Sequence, residues 1–150
     1  MHRYISLIAF LVLTLGGGLL IGFFNAPGEW YDGLAKPDFN PPAWLFGPVW
    51  SLIYIMIAVA GWRVWQRYRI GWPLMLWCAQ MVLNFLWTPI FFAAHRIDLA
   101  FVVILLMLAA ILAFIAKTWE QDRLASWLFV PYAAWVTFAS VLNGSIWVLN

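Results

Sequence analysis

The sequence predicts an all-α integral membrane bundle of five transmembrane helices: it is oily, its charges are sparse, and those charges cut it into lengths that fit a bilayer. Hydrophobic residues make up 66% of the 150 and charged residues only 9%, against roughly 25% charged in an average soluble domain. Splitting the chain at its charges leaves five uncharged runs, Tyr4 to Gly28, Phe39 to Trp62, Ile70 to His95, Leu99 to Ala116 and Leu124 to Asn150. Each holds the ~20 apolar residues of a spanning helix. A membrane barrel would instead alternate over ~10 residues, whereas "FVVILLMLAAILAFIA" is apolar on every face.

The predicted helices cover residues 4–24, 42–66, 72–94, 98–117 and 124–148 of a single domain, with a long first loop over 25–41. The first run begins like a secretory signal in "YISLIAFLVLTL", but no small-x-small cleavage site follows and the apolar stretch continues far enough to span. It also carries Gly18-x-x-x-Gly22, and the fourth run carries Ala109-x-x-x-Ala113. Small residues at that spacing let two helices approach closely, within a subunit or across a dimer. The third run contains the lone Cys78, which has no disulfide partner in the chain and reads as a packing residue.

Orientation follows from the basic residues. The amino terminus and the second and fourth loops hold Arg3, Arg63, Arg67, Arg69, Lys117 and Arg123, and the opposite side only Lys36 and Arg96. By the positive-inside rule the amino terminus is cytoplasmic, with the first loop and the carboxyl terminus on the outer face. The net charge of +2 is then a topology signal facing anionic lipid, and no nucleic-acid partner is expected.

Several chemistries lack their parts. The six acids, Glu29, Asp32, Asp38, Asp98, Glu120 and Asp122, fall in loops or at helix ends, so the ionisable groups that mark ion paths through a membrane are missing from the spans. His2 and His95 lie on opposite sides and cannot share a metal or a haem iron. No serine has a histidine and a carboxylate near it for nucleophilic hydrolysis.

Aromatic surface remains. Most of the 12 Trp suit the interfacial belts of any membrane protein, but Trp50, Trp87 and Trp135 lie deeper, where each indole N–H is expected to find a partner inside the protein. Gln80, Asn84, Trp87 and Phe91 follow i, i+4, i+7, i+11 and share one stripe, as do Tyr132, Trp135, Ala139 and Asn143, while Trp50 and Tyr54 are an i, i+4 pair. Polar amides in spanning helices face the bundle interior, so these stripes are expected to face one another, either as packing glue or as the wall of a cavity. Pro48, Pro89 and Pro131 favour the cavity, because each frees a carbonyl four residues earlier and kinks its helix.

"EWYDGLAKPDFNPPAWLFGPVWSLIY", "NFLWTPIFF" and "LFVPYAAWVTFASVLN" together closely resemble the TspO/MBR family, the tryptophan-rich sensory proteins of bacteria and the mitochondrial translocator protein or peripheral benzodiazepine receptor. The resemblance implies a five-helix, commonly dimeric protein. It also implies a pocket for porphyrins such as protoporphyrin IX and for drug-like isoquinoline carboxamides and benzodiazepines, with no covalent cofactor. By motif position the pocket residues fall on Tyr31, Trp50, Asn84, Trp87, Trp135 and Ala139, to which helical spacing adds Tyr54 and Asn143. The animal cholesterol pattern is absent, since no basic residue follows Arg123. The third helix, which forms family dimers through small residues, offers only Cys78, Ala79, Ala93 and Ala94.

The resemblance implies a membrane receptor for tetrapyrroles. Its alternatives are light- and oxygen-dependent porphyrin degradation, in which Trp50 and Trp135 would be the catalytic pair, and transport of porphyrin, lipid or sterol. Five helices do not divide into two equal repeats, which disfavours an alternating-access carrier. The 17-residue connector Asn25 to Pro41 exceeds the ~12 to 15 residues beyond which loops are usually functional or disordered, and its aromatics argue against disorder. It reads as a lid in which Trp30 and Tyr31 cover the outer mouth, Tyr31 reaches the ligand, and Asp32 or Lys36 pins the loop.

Overall fold

The computed structural model describes residues 1–150. Five helices are long and apolar enough to cross a membrane: α1 His2–Phe24, α3 Ala43–Tyr68, α4 Trp72–Ala93, α5 Ile97–Thr118 and α6 Arg123–Leu149. A four-residue helix, α2 Glu29–Asp32, lies in the first connector. At 1.5 Å per residue, even the 22-residue α4 and α5 exceed the ~30 Å hydrocarbon thickness. The chain is all-α, as its charge spacing requires.

The spanning helices close into a ring in the order α1, α3, α6, α5, α4 and back to α1. The main core lies inside it, around Ile57, Trp77, Met107, Ile111, Phe114, Phe129, Tyr132 and Val136. A smaller core of Phe91, Ile97, Ala100, Leu142 and Ile146 fills the end beneath the first connector, and Trp30, Tyr31 and Leu34 pack onto it. Long apolar side chains such as Leu105, Leu106 and Leu112 point outward, as they do where lipid is the solvent.

Helix α1 is the peripheral member, with Thr14 as its one buried residue. A wide π turn over Val12–Gly16 turns Thr14 inward, and its Oγ1 donates to the Tyr54 carbonyl at 3.0 Å. Gly17 and Gly18 make the approach possible: a Cβ on them would stand 2.6 Å from the Phe85 ring and 2.4 Å from the Tyr54 ring. The small residues of α1 therefore serve contact within the chain at Gly18, while the space beside Gly22 is open.

The two ends of the ring are built differently. At one end Arg63 of α3 donates to both carboxylate oxygens of Asp122, at 3.0 to 3.1 Å, and Asp122 also caps α6 by accepting from the Ala125 N–H. Arg63 is thus a structural cation as well as a topology signal. At the other end Pro89 opens α4 into a π turn, Pro89–Ala93. The helix then stops at His95, a non-glycine residue in the left-handed region at φ 56, which is uncommon for such a side chain.

Candidate functional site

Beneath the connector, α3, α4 and α6 turn their aromatic stripes toward one another. Trp50 lies 5.5 Å from Tyr54 and meets Tyr132 edge-on at 6.4 Å, ring to ring. Trp135 meets Phe46 and Phe138 at 5.8 and 5.6 Å, and Phe39 of the connector closes on Phe138. Trp87 stacks on Phe91 at 5.1 Å. Ala139 lies partly buried beside the same core, one turn along α6 from Trp135.

The polar residues of the stripes form two networks. In the deeper one the Tyr54 hydroxyl donates to Asn84 Oδ1 (2.8 Å) and Asn84 Nδ2 donates to the Tyr132 hydroxyl (2.8 Å). Tyr132 in turn donates to Gln80 Oε1 (2.7 Å), and Gln80 Nε2 to the Trp77 carbonyl (2.8 Å). Every donor points the same way along this chain, which joins three helices. In the shallower network Trp87 Nε1 donates to Asn143 Oδ1 (3.0 Å), and Asn143 Nδ2 donates to the Ile97 carbonyl (3.1 Å). Asn84 and Asn143 thus engage both their oxygen and their nitrogen inside the bundle.

The deep tryptophans divide. Trp87 has its partner, but the Trp135 indole N–H is buried with none, and so is the side-chain oxygen of Asn40 at the exit of the connector. Leaving such groups unpaired costs about 1–3 kcal/mol each. A donor on α6 and an acceptor at the exit of the connector stand buried and unsatisfied.

The connector lies over this layer. Trp30 stacks on His95 at 4.0 Å with rings 9° from parallel, and meets Phe91 edge-on. Tyr31 packs against Phe91 and Phe92, and burial pushes its phenol above the ordinary value, opposed by the Asn40 amide. Of the two charges expected to pin the loop, Lys36 braces it from within and reaches no helix of the bundle. Its Nζ donates to the carbonyls of Tyr31 (2.7 Å) and Leu34 (3.1 Å) and lies 4.4 Å over the Tyr31 ring, whereas Asp32 is exposed. A second fastening comes from the far end of the chain: Asn150 accepts from the Ala35 N–H (3.0 Å) and donates back to the Ala35 carbonyl (2.9 Å).

The family model described as TspO/MBR family matches residues 9–148. The chain belongs to the TspO/MBR family. It is 40% identical to protein CrtK of Rhodobacter capsulatus over 133 residues, 86% of this chain and 83% of that one. Against the tryptophan-rich sensory protein of Cereibacter sphaeroides it is 36% identical, covering 97% and 92% of the two chains. With the human translocator protein it shares 36% identity over 87% and 82%. It is an integral membrane protein by this membership and by its five apolar helices.

Within this TspO/MBR chain, Trp50, Tyr54, Asn84, Trp87, Trp135, Ala139 and Asn143 all lie in the region between α3, α4 and α6, and Tyr31 lies above it on the end of α4. Three contributors escape the motif reading. Trp77, whose Nε1 donates to the Ile57 carbonyl at 2.9 Å, lies one turn before Gln80 on the same stripe, so extending that stripe backward would have found it. Asn40 sits in the polar-looking "DFNPP", and Asn150 is 115 residues from its partner; neither has a spacing signal.

Proposed function

We propose that the protein is a membrane receptor for porphyrins such as protoporphyrin IX, bound in the aromatic layer beneath the first connector. The observation that carries this reading is the buried, unpartnered indole N–H of Trp135, set opposite apolar rings and accompanied by the unpartnered Asn40 oxygen. A flat macrocycle would stack on Trp50 and Trp135. A carboxylate or carbonyl of the ligand would accept from Trp135 Nε1, and a ligand N–H or O–H would donate to Asn40 Oδ1. Isoquinoline carboxamides and benzodiazepines share apolar aromatic rings and a carbonyl acceptor with the porphyrin, which is the chemical reason one site would take both classes. Aromatic contacts of about 0.5–1.5 kcal/mol each beyond area burial support micromolar binding.

Access requires the connector to lift. Trp30 and Tyr31 cover the end of the layer, so the loop acts as a lid, braced from within by Lys36 and held to the end of α6 by Asn150. By the distribution of basic residues, the lid faces the outer side of the membrane. Titration of protoporphyrin IX into the detergent-solubilised protein, followed by quenching of tryptophan emission, tests the reading. Saturable quenching is expected, with the dissociation constant raised about tenfold by Trp135→Phe. No saturation in the wild-type protein would remove the proposal.

A further inference from the structure

At the end of the bundle opposite the connector, where α1 begins and α3 ends, a polar pocket of about 200 Å³ is lined by Arg3, Trp62, Arg63, Gln66, Arg67 and Asp122. Its charges do not cancel. The two ion pairs of the molecule are Arg63 with Asp122 and Arg96 with Asp98, so Arg3 and Arg67 face the pocket without a carboxylate. Three guanidiniums stand against one acid.

The pocket wall is braced. Helix α1 is otherwise loosely held, and the first turn of such a helix ordinarily frays. Here Trp62 Nε1 (2.9 Å) and Ser6 Oγ (2.7 Å) both donate to the Arg3 carbonyl, and Gln66 Nε2 donates to Ser6 Oγ (2.8 Å). The Arg3 guanidinium lies 5.2 Å over the Trp62 ring, and that of Arg67 lies 5.8 Å over the Tyr68 ring. Neither guanidinium makes an ion pair, which leaves its in-plane N–H fork for a planar or tetrahedral oxyanion.

We propose that this pocket binds the phosphate of an anionic phospholipid headgroup, with Arg3 and Arg67 as its paired donors and Arg63, anchored by Asp122, as the third. Free phosphate shares that chemistry, but the position favours a lipid. The pocket lies at the tips of two spanning helices, and Tyr4, Ile5 and Ile8 expose apolar surface along α1 just beyond it, where acyl chains can lie. A headgroup held there would fasten α1, the least buried helix, to α3.

Native mass spectrometry of the full chain in detergent, titrated with dioleoyl phosphatidylglycerol, phosphatidylcholine or inorganic phosphate, tests this. One saturable phosphatidylglycerol adduct is expected, with little retention of phosphatidylcholine. The Arg3→Gln, Arg67→Gln double variant should weaken it about tenfold to thirtyfold, at ~1 kcal/mol per basic residue at a membrane surface. The Lys117→Gln, Arg123→Gln variant, which removes the same charge at the same end, should bind as the wild type does. An affinity within twofold in the first variant, or an equal loss in the second, would overturn the site in favour of diffuse charge. Inorganic phosphate occupying the protein at the lipid's concentrations would overturn the lipid assignment. If the double variant melts early, Arg67→Gln alone carries the test, because Arg67 is exposed and braces nothing; about a fivefold loss is expected, and none would sink the site.

Discussion

Trp135 combines two opposed contributions: its ring packs between Phe46 and Phe138, while its N–H is buried without a partner. Phenylalanine keeps most of the ring and removes the orphan donor. Trp135→Phe is therefore expected to leave thermal stability in detergent unchanged or slightly raised while weakening porphyrin binding; a parallel fall in both would mean that the indole is merely structural. Gly61→Ala works in the other direction. A Cβ there would stand 2.5 Å from the Trp77 indole and 2.9 Å from Phe10, and Trp77 is held by its bond to the Ile57 carbonyl. Overpacking of this kind costs about 1–3 kcal/mol, to be read as an earlier melt. At this scale the sequence exposes stripes well, because polar amides and tryptophans are rare inside a lipid-spanning helix. It does not reveal which polar atoms end unpaired: nothing in the spacing separates Trp87, whose N–H reaches Asn143, from Trp135.

The connector behaves as an element because its fastenings are few and identifiable. Asn150→Ala removes both bonds to Ala35 and leaves the Trp30 and Tyr31 packing in place. Amide exchange at Leu34 to Lys36 should quicken, and porphyrin should dissociate about three- to tenfold faster; unchanged exchange would show that the Trp30 and Tyr31 packing alone holds the lid. The Tyr31 phenol supplies a pH dependence. Burial raises its pKa above the ordinary value near 10, so the neutral form stabilises the docked loop. That contribution is fully present below the unfolded value and is lost as pH rises through the higher, docked one. Trp30 emission should report loosening only above about pH 10, and loosening near pH 7 would contradict this assignment. The structured character of the loop was legible in its aromatics and prolines; of the two charges expected to pin it, Lys36 braces it only from within and Asp32 is exposed. The Asn150 clamp was not legible, because a contact between residues so far apart in the chain leaves no local pattern, and neither was the left-handed turn at His95 that carries the Trp30 stack.

At the scale of the whole molecule, the number and approximate length of the spans follow from charges alone, because lipid tolerates no other division of so apolar a chain. The ring order α1, α3, α6, α5, α4 does not follow. Helices that are apolar on every side carry little directional signal, and contacts such as Thr14 to Tyr54 and Arg63 to Asp122 decide their neighbours. Asp122→Ala would leave Arg63 unpaired and uncap α6. The expected loss is about 2 kcal/mol, below the ~3–5 of a fully buried pair because Arg63 remains 32% exposed, and a melting temperature equal to that of the wild type would refute the tie between α3 and α6. A structure of the protein with protoporphyrin IX bound tests most directly whether the aromatic layer is the porphyrin site. Density is expected between α3, α4 and α6, with a polar ligand atom within hydrogen-bond distance of Trp135 Nε1 and the connector lifted or rearranged above it. Density confined to the shallow apolar groove of about 570 Å³ beside Cys78 and Ala79 on the outer side of α4, with Trp135 untouched, would contradict that assignment.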